Sequence, residues 1–140
     1  MINNPLFDAS YERLFGSKVG AAEQSEPFFT TFYGHFLRHP DISELFLETD
    51  MKRQVSMLRR SFYYVAAFYV STEPSAELER IGQLHHRLGI KPDLYDVWLD
   101  ALVETVRELD SQCDLATELA WRWALTPGIT YLKLFDRFVE

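Results

Sequence analysis

A single cysteine, Cys113, stands in the chain of 140 residues, so no internal disulfide can form and a reducing compartment is the expectation. Positive charge is also short. Fourteen Lys and Arg against 21 Asp and Glu leave a net charge of −7, with no basic run long enough to neutralise several phosphates. No nucleic-acid partner is therefore expected, and no anionic membrane surface either. Nowhere do about 18 apolar residues run together, so nothing is expected to span a bilayer. The start, "MINNPLFDASYERLF", lacks a basic stretch followed by an apolar core and a cleavage site, which makes the cytoplasm the expected location. No G-x-G-x-x-G appears, so a dinucleotide fold has no foothold. Period-two alternation of apolar residues is scarce, which argues against sheets.

What is abundant is apolar and aromatic. A 47% hydrophobic content at this length fills one core and is too short for two, giving one domain over 1–140. Of eleven Phe and seven Tyr, ten bunch in residues 28–36 and 62–69, where flat side chains can fill a core or wall a slot for a flat ligand.

Apolar residues recur at three and four, so the chain reads as all-α. A short first helix begins near Ser10. "EQSEPFFTTFYGHFLRHP" opens with Ser25 as cap and Pro27 in the first turn, closes before Pro40, and carries Phe29, Phe32, Tyr33 and Phe36 on one face. "HPDISELF" is a tight turn with a short helix capped by Asp41. A long helix follows from about Asp50 to Val70. Its Met51, Val55, Leu58, Phe62, Val65 and Tyr69 fall within an arc of roughly 80°, with Gln54 at the edge. After the turn "STEPSAE" another helix runs into "QLHHRLGIKPDLYDVW", where Gly89 stops it and Pro92 starts the next, with Leu102, Val106 and Leu109 inward. The last segment, from about Asp114, contains Pro127 and Gly128, so a kink or two abutting helices are expected.

Two adjacent histidines raise the question of chemistry. Leu78, Ile81, His85 and Leu88 share a face about 80° wide, while His86 points some 100° away. His85 looks inward. An isolated histidine on an apolar face is more often a hydrogen-bonded core residue than a ligand, so periodicity alone leaves both roles open. His35 and His39, four apart on one helix, can form a two-ligand clamp, but no Cys or further His stands near them, and a structural zinc site wants four ligands. The plainer reading has one solvated and the other closing its helix. A haem needs one strong protein ligand and a slot with apolar walls, which this sequence offers.

From about residue 27 to the C-terminus the chain resembles the globins, in particular single-domain bacterial haemoglobins and the haem domain of flavohaemoglobins. "TTFYGHFLRHPDISELF" is similar to the family's second helix and following corner, "TDMKRQVSML" to the start of its distal helix, and "LHHRLGIKPDLY" to the proximal histidine and the tyrosine opening the next helix. The three occur in the family's order, with His85 31 residues after Gln54. The resemblance implies haem b, with its iron ligated by His85 and by no other residue of the pair. It implies Phe46 as the wedge fixing the haem's tilt, Tyr33 and Gln54 as distal hydrogen-bond donors, and Leu58 as their apolar neighbour. Tyr95 matches a tyrosine that in flavohaemoglobins joins a glutamate around the proximal imidazole. Here Asp136 takes the glutamate's place, one methylene shorter and downstream of Pro127.

The function so implied is reversible binding of O₂, and of NO and CO, for oxygen transport, storage or sensing. The alternative is nitric oxide dioxygenase activity with an external reductase, because neither a flavin nor a nicotinamide domain fits in this length. A sensor would need a surface that changes on ligation, and the sequence names none. A helical bundle without haem is the remaining reading. Monomer and homodimer both stay open. Trp121 and Trp123, two apart, cannot both face inward, which leaves one for the flank of the core or a subunit contact. Cys113 reads as a free thiol.

Overall fold

The computed structural model describes residues 4–16, 25–71 and 73–138, without the side chains of Asp136 and Phe138. The first helix, α1 (Pro5–Phe15), starts earlier than Ser10, because the Asn4 side chain accepts the Phe7 N–H and Pro5 occupies the first turn. It is followed by α2 (Glu26–Phe36), α3 (Pro40–Leu45), α4 (Met51–Ala67), α5 (Ala76–Arg87), α6 (Asp93–Leu109), α7 (Leu115–Lys133) and the short α8 (Phe135–Phe138). Among the described residues no strand forms, and no helix is long and apolar enough to cross a membrane.

The capping chemistry departs from the sequence reading in two places. Ser25 precedes α2 but makes no side-chain cap, and α3 is capped by His39 Nδ1, which accepts the Asp41 N–H at 3.3 Å, rather than by Asp41. Asp50, Ser75 and Asp114 cap α4, α5 and α7 as their composition suggests. Gly89 closes α5 at φ +70°, a conformation that costs a residue with a Cβ and not glycine. Leu88 and Leu109 are 65% and 44% exposed, against the expectation that both face inward; each sits at a helix end, where the stripe runs past the core.

In α7 one of the two arrangements expected around Pro127, a pair of abutting helices, does not occur. The helix runs unbroken through Pro127. The carbonyl that proline deprives of a partner belongs to Trp123, on the solvent side, where water can replace the lost donor. Of the tryptophans, Trp121 is the buried one; its Nε1–H donates to Ser10 Oγ at 2.8 Å. Ser10 in turn donates to Asp110 at 2.6 Å, and Arg13 grips the same carboxylate through two nitrogens at 2.8 Å. This chain of bonds ties α1 to the end of α6 and to α7.

The packing places α2 across α6, α6 along α7 and α4 between α2 and α7, with α5 against α4, α7 and α8. Buried rings of α2 reach three neighbours: Phe29 meets Phe62 of α4 edge-on at 5.5 Å, Phe32 meets Trp98 of α6 at 5.7 Å, and Phe28 meets Phe15 of α1 at 4.9 Å. Two glycines permit the closest crossings. A Cβ on Gly128 would lie 2.6 Å from the Val65 carbonyl oxygen of α4, and one on Gly82 would run into the Phe135 ring of α8.

Candidate functional site

These crossings leave a cavity of about 330 Å³ open at the surface, walled by α2, the α3 corner, α4, α5, α6 and α7. That volume falls in the range of small-molecule pockets. The walls are mostly apolar, with Leu58, Val65, Ile81, Leu94 and Ile129 among them. Leu45, Met57 and Leu84 also line it while 50%, 37% and 43% exposed, so its mouth presents apolar surface to water. Such a mouth costs free energy until something apolar covers it.

Six of the seven side chains singled out from the sequence come together here: Tyr33, Phe46, Gln54, Leu58, His85 and Tyr95. The side chain of the seventh, Asp136, lies outside the described residues.

His85 stands near the end of α5, with its Nδ1 2.8 Å from the Ile81 carbonyl one turn back. A carbonyl only accepts, so Nδ1 carries the proton and Nε2 keeps a lone pair for the cavity. Burial pushes the imidazole's pKa down, and the Ile81 bond only partly offsets this. Both facts favour the neutral ring, the form that ligates a metal. His86 is exposed on another face, 6.1 Å from the Phe135 ring.

Tyr33 descends from α2 and is 5% exposed. Gln54 Nε2 donates to its hydroxyl oxygen at 3.2 Å. Burial pushes the phenol up to about 12, against the opposing effect of the Gln54 bond, so it is protonated at neutral pH. With its oxygen already accepting, the hydroxyl has its own proton left to give. Phe46, at the end of α3, holds the Tyr33 ring edge-on at 6.0 Å and the Phe36 ring at 6.3 Å.

Tyr95 opens the first turns of α6, with its ring 5.9 Å from that of His85. Its hydroxyl is likewise pushed up to about 12 by burial, and it hydrogen-bonds to none of the described residues.

Sequence reasoning missed Arg60 and Ser61, the further polar residues that α4 contributes to the lining, and Trp98 from α6. Arg60 carries a full charge at an apolar cavity and is itself exposed, which places it at the mouth. No sequence signal marked it, because Arg60 lies off the apolar stripe of α4. The His35–His39 clamp does not form. His35 Nε2 lies 2.6 Å from Glu108 of α6, so its side chain is held and 9% exposed rather than solvated, and His39 serves as the α3 cap. Among the described residues no group of three His, Cys, Asp or Glu is placed to hold a metal ion. A metal here would have to arrive within a larger group and take one protein ligand.

No family model matches the chain. It is 33% identical over 125 residues to a protein of Halalkalibacterium halodurans named flavohemoprotein, covering 85% of this chain and 29% of that protein's length. It is also similar to a crystal structure of a Pseudomonas aeruginosa PAO1 protein described as structurally highly homologous to a human hemoglobin. There the TM-score is 0.78 at 35% identity, over 94% of this chain and 96% of the other. A helical fold matched end to end at that identity fixes kinship as well as shape: the chain belongs to the bacterial globins.

Proposed function

We propose that this chain binds haem b in the cavity through His85 and holds a diatomic gas beside Tyr33 and Gln54, with reversible O₂ binding as its activity. One observation carries the reading. A neutral imidazole with one nitrogen free and a separate hydroxyl–amide pair with one proton free line the same apolar cavity.

The residues fit the group on their own chemistry. The exposed apolar mouth at Leu45, Met57 and Leu84 is surface that a porphyrin would cover, and Arg60 stands beside it as a partner for a peripheral carboxylate. Haem, held by His85, would supply an iron able to bind a gas. The protein's part is to hold, orient and polarise. The Ile81 carbonyl fixes the His85 tautomer and makes the ring a stronger donor. Phe46 and Phe36 fix the Tyr33 ring, and Gln54 orients its hydroxyl. A ligand with partial negative charge beside Tyr33 would meet a donor already in place. Because the surroundings are apolar, that charge-assisted bond is worth about 1.5–3 kcal/mol. CO gains little charge and benefits little.

A second reading is nitric oxide dioxygenation with a separate reductase, favoured by the likeness to a flavohemoprotein of which this chain spans 29%. Spectra of the haem-loaded protein in ferric, ferrous, O₂ and CO forms test the binding reading. A stable O₂ form that returns to ferrous on removing the gas supports it, and failure to take up haem refutes it. Sustained nitrate formation from NO with a cell reductase and NADH, beyond one equivalent, establishes the enzyme; a single burst does not.

A further inference from the structure

None of the fully exposed residues of α7 is charged. Its exposed residues are Leu115, Ala116, Leu119, Trp123, Thr126 and Thr130. Leu115, Leu119 and Trp123 repeat every four residues and are 81%, 68% and 52% exposed, so they form one apolar stripe along the helix. Solvated helix faces ordinarily carry charge, and large apolar side chains are exposed singly rather than in rows. The Trp123 side chain makes no hydrogen bond or ring contact among the described residues, in contrast to Trp121 two positions earlier.

We propose that this stripe is the interface of a two-fold homodimer in which α7 packs antiparallel on α7 of a second copy, with Leu119 at the axis. Three features favour a second copy as the occupant. The spacing is self-complementary: Leu115 and Trp123 each lie four residues from Leu119, so a two-fold there sets the Leu115 of each copy against the Trp123 of the other. The flank is self-complementary as well. Arg122 pairs with Asp100 at 2.8 Å and reaches Glu118 at 3.7 Å, and Glu118 also takes Arg107 at 2.8 Å. Two acids and two bases make this border neutral in a chain of charge −7, so copies meet here without the repulsion that opposes contact elsewhere. In the antiparallel arrangement the Arg122 of one copy comes within about 3 Å along the axis of the level of the other's Glu118, from a rise of about 1.5 Å per residue.

The area sets the strength. The three side chains expose roughly 400 Å² per copy, from full-exposure areas of about 180–250 Å² each, and the flanks bring the two-copy total near about 1,200 Å². That is the lower edge of specific interfaces, which predicts a dimer dissociating in the micromolar range rather than a permanent one.

Sedimentation velocity on the full chain, from about 1 to about 100 µM, reads the equilibrium. The expected result is a dimer fraction that rises with concentration and is lost in Trp123→Glu and Leu119→Arg, each with unchanged helicity by circular dichroism. Position is read by cross-linking in a Cys113→Ser background. At an interaxial distance of about 10 Å, two facing Cα atoms lie about 5.4 Å apart, within disulfide reach. Leu119→Cys should therefore oxidise to a cross-linked pair on its own, whereas Trp123→Cys should do so only when mixed with Leu115→Cys. A monomer throughout the range, a dimer indifferent to both charged variants, or a monomer that instead floats with phosphatidylcholine vesicles overturns the proposal.

Discussion

Replacing Tyr33 by Phe removes one oxygen atom and leaves the ring, whose contacts with Phe32 at 5.0 Å and Phe46 at 6.0 Å keep it in place. What is lost is the hydroxyl that accepts from Gln54 at 3.2 Å and has its own proton free. A charge-assisted bond of about 1.5–3 kcal/mol corresponds to a roughly ten- to hundredfold faster O₂ off-rate. The loss also frees the Gln54 amide, which can turn to the gas and restore a bond of about 1 kcal/mol. Tyr33→Phe should therefore sit at the low end of that range. Gln54→Leu alone, which only releases the hydroxyl from its orienting donor, should do less. The double variant should exceed the sum of the two, because it removes the replacement donor. Stopped-flow displacement of O₂ by excess CO gives the rates, with the CO off-rate as internal control. An O₂ off-rate within twofold of the parent in Tyr33→Phe, or strict additivity in the double variant, refutes the assignment of the donor.

Because the Tyr33 phenol is pushed up to about 12, its proton stays in place across the working range, and the O₂ off-rate should be flat from about pH 6 to about pH 10. A step in that range, absent in Tyr33→Phe, would contradict it. Gly128→Ala should cost about 1–3 kcal/mol, since its Cβ meets the backbone oxygen of Val65 at 2.6 Å, and lower Tm by roughly 3–10 °C in a calorimetric scan; an unchanged Tm would mean α4 and α7 separate freely. Asp110 is held at about 2 by Arg13, with help from Ser10, so its folded pKa lies below the unfolded value of about 3.9. The resulting stability is present above pH 4 and drains away as pH falls toward about 2, amounting to about 2 kcal/mol. Asp110→Asn should lack that slope in acid unfolding curves, and an identical slope would remove the pair from the acid response.

Much of the fold was legible because period and punctuation agreed. Asp50, Ser75 and Gly89 mark the helix ends around the cavity, and the apolar stripe of α4 carries Gln54 and Leu58 to it. The inward turn of His85 followed from spacing alone; its free Nε2 did not, because that depends on the bond to Ile81, which forms only in the folded chain. Other features depend on partners far along the chain. The hold of Glu108 on His35 spans 73 residues, and the grip of Arg13 on Asp110 spans 97. His39 as a helix cap was hidden because its ring nitrogen imitates a carboxylate acceptor that composition does not suggest. Arg60 escaped notice because a charge at an apolar cavity makes sense only once the mouth is located. A spacing of two said that Trp121 and Trp123 face different ways, but it took the seat of Trp121 on Ser10 and Phe7 to say which one is left outside.

The claim on which the rest depends is that the free nitrogen of His85 is the protein's bond to haem iron. His85→Gly opens a space that added imidazole can fill, so titrating the purified variant with haem, with and without imidazole, tests it directly. The account predicts that the variant alone gives a ferrous–CO absorption maximum unlike the parent's and loses haem faster, and that imidazole restores the parental spectrum. A variant that takes up haem with the parental ferrous–CO spectrum in the absence of imidazole contradicts it.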